Sequence, residues 1–142
     1  MLSQDFDIEK FHNPYKHALH ITESDDGFIW LAHHYGLIRF DGKNYRFFRH
    51  NQEDSTSITS GLITKVFYKD KVLWLCSVTE GVSALDLTSY KSKSWKFNPD
   101  DSTSLASNYA RGLWVENDSS VWISSSSFCL NHLNPKTGHV KR

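Results

Sequence analysis

Asp25-Asp26-Gly27-Phe28-Ile29-Trp30-Leu31-Ala32, running on through His33-His34-Tyr35 into Gly36-Leu37-Ile38-Arg39-Phe40-Asp41-Gly42, reads as turn, strand, turn, strand. Asp-Gly and Tyr-Gly pairs punctuate two short apolar runs of strand-forming residues. The pattern returns at Asp70-Lys71-Val72-Leu73-Trp74-Leu75-Cys76-Ser77, which passes through Val78-Thr79-Glu80 into Gly81-Val82-Ser83-Ala84-Leu85-Asp86. A weaker third copy, Asn117-Asp118-Ser119-Ser120-Val121-Trp122-Ile123-Ser124, leads into Cys129-Leu130-Asn131-His132-Leu133-Asn134, with Cys129 where the first two copies have glycine.

The tryptophans recur at intervals of 44 (from 30 to 74) and 48 (from 74 to 122). A second marker keeps the same period: Asp54-Ser55-Thr56-Ser57-Ile58 returns 47 positions on as Asp101-Ser102-Thr103-Ser104-Leu105. A repeat of this length built from short strands predicts stacked β units such as propeller blades. The expected organisation is an N-terminal strand or arm over residues 1–14, a first blade and link over 15–61, a second over 62–108, and a truncated third over 109–142. The fold class is all-β, about three four-stranded antiparallel blades of a larger propeller. The chain stops within the expected fourth strand of its third unit, as a piece cut from a longer array would.

Within the first unit the expected strands are residues 15–23, 28–32, 37–40 and 45–49. In the second, the opening strand is expected at 62–68 and the closing strand at 94–97. Trp30, Trp74 and Trp122 are expected to be buried between successive sheets. The small residue two positions after each tryptophan shares its sheet face and leaves room for the ring. Gly36 and Gly81 supply positive φ at tight turns.

The 142 residues are 39% hydrophobic and 14% aromatic, enough for a packed core, and 16 Lys and Arg balance 16 Asp and Glu. Such a balance gives no basic footprint for nucleic acid or anionic lipid. No run approaches the roughly 18 to 20 apolar residues of a membrane-spanning helix, so no membrane contact is expected of this segment. Residues 1–13 lack the basic start and apolar centre of a signal peptide.

Chemistry-bearing patterns are sparse. The run Ser124-Ser125-Ser126-Ser127 lacks the Gly-x-Ser-x-Gly elbow that exposes and activates a nucleophile. Cys76 stands at a small packing position, and Asp25, Asp26, Asp41, Asp70 and Asp86 fall at equivalent turns, where aspartate serves the backbone. His17 and His20 lie three apart on an expected strand and so face opposite sides, while His33 and His34 are adjacent; neither is a paired-ligand spacing. No catalytic residue, metal or cofactor is expected.

The runs Asp25-Asp26-Gly27-Phe28-Ile29-Trp30-Leu31-Ala32, Gly36-Leu37-Ile38-Arg39-Phe40-Asp41-Gly42 and Asp100-Asp101-Ser102-Thr103-Ser104-Leu105 resemble the two-component regulator propeller repeat. The family's threonine after the small residue is replaced by His33, Ser77 and Ser125. The resemblance implies seven-bladed propellers that serve as periplasmic sensors of membrane-anchored receptors with histidine kinase or diguanylate cyclase output. Asp25-x-Gly27-x-x-Trp30 also resembles the Asp-box of sialidase-like propellers, so a sialidase-like or lyase enzyme fragment is one alternative and a protein-interaction scaffold is another.

In a four-stranded blade the loop after the second strand shares a rim with the link to the next blade. His33, His34, Tyr35, Glu80, Asn108, Tyr109 and Arg111 are therefore expected on one rim as ligand-binding residues, suited to a small molecule or a neutral or weakly charged oligosaccharide. Three open units also leave two raw sheet faces, so self-association is expected, most economically as a six-bladed dimer.

Overall fold

The computed structural model describes residues 17–59, 61–126 and 129–142; the expected N-terminal strand or arm lies outside them. Among the described residues the elements are all strands. The first four are β1 (His20–Glu23), β2 (Ile29–His33), β3 (Gly36–Phe40) and β4 (Tyr45–Phe48). The next four are β5 (Ile63–Lys69), β6 (Val72–Ser77), β7 (Val82–Asp86) and β8 (Ser92–Trp95). The last four are β9 (Ala110–Asn117), β10 (Ser120–Ser125), β11 (Leu130–Leu133) and β12 (Val140–Lys141). They form three four-stranded antiparallel meanders, each ordered as the chain runs. This is the architecture the repeat predicts.

The sheets stack face to face. Because side chains alternate across a strand, Trp30 and Ala32 share one face of β2 and meet Ile63, Val66, Leu73, Leu75 and Leu85 of the second sheet in one buried cluster. Trp74, Cys76 and Val82 point the other way and pack with Val115, Val121, Ile123 and Leu133 of the third sheet. The middle sheet is thus covered on both sides, which is why β6 reads as an unbroken apolar run rather than an alternation. First strands lie next to first strands, β1 against β5 and β5 against β9, as around a propeller axis.

The repeated Asp-Ser-Thr-Ser marker builds the links. Asp54 Oδ1 accepts from the Thr56 backbone N–H at 2.9 Å and from its hydroxyl at 2.7 Å; Asp101 accepts from Thr103 at 2.8 and 2.7 Å. Ser57 and Ser104 hydroxyls close each loop by accepting from the backbone N–H of Asn51 and Asn98, both at 2.9 Å. The loops then deliver Ile58 and Leu105 into the two inter-sheet cores. Each link also grips the sheet that follows it: the Thr56 carbonyl accepts from Ser92 N at 2.7 Å, and the Thr103 carbonyl from Val140 N at 2.8 Å.

Four expectations need correction. Trp122 is 37% exposed, against 0% for Trp30 and 5% for Trp74. It occupies the same position in its sheet, but no described strand covers that face, and its ring stacks on His132 at 4.2 Å instead. β8 begins two residues before the expected 94, because Trp95 pairs with Val82 and fills the inter-sheet core, while Phe97 N–H turns to Asn108 Oδ1 at 2.7 Å. β1 begins at His20, with residues 17–19 of the expected strand outside it and 15–16 outside the described residues. His33 belongs to β2, paired with Gly36, so only His34 and Tyr35 make the turn.

Gly36 and Gly81 do adopt positive φ, at 142° and 75°. A Cβ at either would collide with a backbone oxygen, of Phe48 or Trp95, so these glycines are needed for closeness as well as for conformation.

Candidate functional site

The two rims differ in chemistry. On the rim that carries the Asp-Gly turns, polar side chains are consumed by the backbone. Asp41 Oδ1 accepts from Lys43 and Asn44 N–H at 2.9 and 2.6 Å, and Asp86 accepts from Thr88 N–H at 2.8 Å and the Ser89 hydroxyl at 2.7 Å. These hydrogen bonds hold both carboxyl groups below the usual aspartate range. Asp26 accepts from the Ser24 hydroxyl, which itself accepts from Trp30 Nε1 at 2.9 Å, so the first turn serves the buried indole.

Between the second and third sheets on this side lies a cleft of about 420 Å³ walled by Val72, Trp74, Ala84, Trp95 and Val115. Trp74 and Trp95 stack with centroids 5.7 Å apart. Lys69 Nζ donates to the carbonyls of Val115 and Glu116, both at 3.1 Å, and Lys93 Nζ to that of Pro135 at 3.0 Å. Two of the three lysines that line the cleft, Lys69 and Lys93, are stitching the two sheets together.

The opposite rim is less occupied. His34 and Tyr35, at the β2–β3 turn, are exposed and line a depression of about 610 Å³ with Arg49, His50, Thr59 and Gly61. Antiparallel pairing of β3 with β4 sets Leu37 opposite Phe48, so the residues after Phe48 arrive beside the turn. Arg49 stacks its guanidinium over Phe47 at 4.6 Å, and His33 meets the same ring edge-on at 5.5 Å. His33 is buried, and its Nδ1 accepts from Tyr35 N–H at 3.3 Å. Burial, and then the charges of His34, His17 and Arg49, lower its pKa, so His33 is held neutral beneath the rim.

Of the other expected rim residues, Glu80 lies beside Gly61, while Asn108, Tyr109 and Arg111 do not line the depression. Glu80 forms an ion pair with Lys96. Asn108 accepts from Gly81 N–H through its carbonyl at 2.8 Å and from Phe97 N–H through its side chain at 2.7 Å, pinning link to hairpin. Tyr109 is partly exposed, with Arg111 over its ring at 5.3 Å. Arg111 is looped out at the β-bulge where Ser125 pairs with Ala110 and Ser124 with Gly112. Arg49, His50 and Gly61 escaped the sequence reading; the antiparallel hairpin rule alone would have found the first two.

Two further groups bear on chemistry. The Cys76 thiol is buried and its pKa is pushed up to about 12, which removes it as a nucleophile at neutral pH. Among the described residues no three or more His, Cys, Asp or Glu side chains converge as metal ligands.

No family model matches the chain, and no curated protein matches it in sequence. In structure it is similar to the extracellular domain of the proposed hybrid two-component system BT3049 from B. thetaiotaomicron, with a TM-score of 0.78, 25% identity and 89% of this chain covered. This structural likeness agrees with the resemblance to the two-component regulator propellers read from the repeats. The propeller fragment spans 18% of the BT3049 domain. It is also similar, at 12% identity and a TM-score of 0.63, to virginiamycin B lyase from Staphylococcus aureus, covering 87% of this chain and 40% of that one. That second likeness is one of fold alone.

Proposed function

We propose that the chain is part of an extracytoplasmic, non-catalytic propeller that senses a ligand for a membrane-anchored signalling receptor. The similarity to the extracellular domain of BT3049 over 89% of the chain carries this reading. Support for the absence of catalysis comes from the residues: the aspartates are bound into turns, and the Cys76 thiol is too buried and too weakly acidic to attack. Recognition then falls to the hairpin-and-link rim, where side chains on short loops stand on rigid sheets.

Two measurements test it. A reporter enzyme active only outside the cytoplasm, fused after Arg142 in the intact gene, should be active in cells; activity seen only with a cytoplasmic reporter would overturn the sensor reading. The purified chain should turn over neither sialosides nor polysaccharides. Turnover abolished by a rim substitution would make the propeller an enzyme.

A further inference from the structure

The depression beside the β2–β3 turn has a chemical bias that a neutral ligand would leave unused. Among the described residues its lining offers His34, Tyr35, Arg49 and His50 and no carboxylate. His17, whose ring stands edge-on to His34 at 6.1 Å, extends the same imidazole-bearing side. Glu80, beside Gly61, pairs with Lys96, and Asp54 in the link holds Thr56.

The donors are also partly set in advance. His50 Nδ1 lies 2.9 Å from the Ile58 carbonyl, an oxygen that only accepts, so Nδ1 carries the proton and Nε2 is left for another partner. Arg49 is braced by its stack on Phe47, and its guanidinium forms no ion pair among the described residues. A fixed guanidinium flanked by imidazoles matches the planar or tetrahedral acceptors of an oxyanion, and such charge-assisted hydrogen bonds are among the strong ones.

We propose that this depression binds the carboxylate, sulfate or phosphate group of a small ligand, with Arg49 as the fixed anchor, His34 beside it, and His50 donating through Nε2 only once its ring is protonated. Histidine as a class gains its charge in the mildly acidic range, so affinity should rise as pH falls. His33 is buried and does not line the depression. The inference rests on reading this rim as the recognition surface, and not on the receptor assignment.

The test is calorimetric titration of the whole chain with inorganic phosphate, galacturonate and galactose at pH 5.5 and 8.0, with imidazole resonances followed by NMR. The expected result is binding of an oxyanion probe but not of galactose, tighter at pH 5.5, with His34 and His50 resonances moving. Phosphate alone binding would assign a phosphate ester, galacturonate alone a carboxylate. Arg49→Gln should weaken binding about tenfold or more, and the exposed His34→Gln should flatten the pH dependence without unfolding the chain. Galactose binding as well as galacturonate would overturn the oxyanion inference and leave the rim reading standing. No binding by any probe, or anion binding unchanged in both variants, would also overturn it.

Discussion

Trp30 and Trp122 hold the same place in their repeats and meet opposite fates. Each sits on the second strand of a meander with a small residue two positions on, Ala32 in one case and Ser124 in the other, facing the same side of the sheet. Trp30 is sealed by the second sheet and its indole N–H is satisfied by Ser24. Trp122 lies beside Trp114, 70% exposed, and Leu130, 55% exposed, on the outward face of the third sheet. The difference teaches that the repeat determines where an aromatic points, while the neighbouring sheet determines what burial it gains.

The sharpest way to break that comparison is substitution. Trp30→Ala should cost about 3 to 5 kcal/mol, the range for emptying a large buried aromatic site, whereas Trp122→Ala should cost less than about 1 kcal/mol. Denaturant midpoints for the two variants measure the gap, and equal losses would mean that the third sheet's face is covered in solution.

Association sharpens the same contrast. A contiguous face carrying Trp114, Trp122 and Leu130 is the kind of exposed apolar patch that drives contacts between chains. Sedimentation of the isolated chain should show self-association that Trp122→Lys weakens, while a dispersed monomer with cooperative unfolding would mean that the face tolerates water.

The smallest expected effect is on pH dependence, at the hairpin of the first sheet. The folded-state pKa of His33 is lowered from 6.5, so its contribution to stability is present above that value and is lost as the pH falls through the lowered one. His33→Gln should therefore flatten the acid side of the stability profile slightly, as read from melting temperatures between pH 5 and 8.

The repeat was legible because two unrelated constraints share one period. Tryptophan marks the inter-sheet core, and Asp-Ser-Thr-Ser marks a loop in which the aspartate accepts from the threonine backbone and hydroxyl. What the chain order could not show is contact set by pairing and stacking. The β8 register depended on Trp95 winning the core position over Phe97. Arg49 reads as the end of a strand and His50 as the start of a link, and antiparallel pairing carries both to His34 and Tyr35. Conversely, Asn108 reads as a polar loop residue available to a ligand, yet both its carbonyl and its side chain are occupied by backbone N–H groups.

The grip of each link on the sheet after it gives the array a direction of growth. Thr56 is made long before Ser92, and Thr103 before Val140, and in each pair the earlier residue supplies the carbonyl on which the later strand hangs. A chain emerging from the ribosome amino end first therefore lays down an acceptor before the donor that needs it. Every new outer strand finds its mooring already waiting, so the array can lengthen one unit at a time without undoing what has been built.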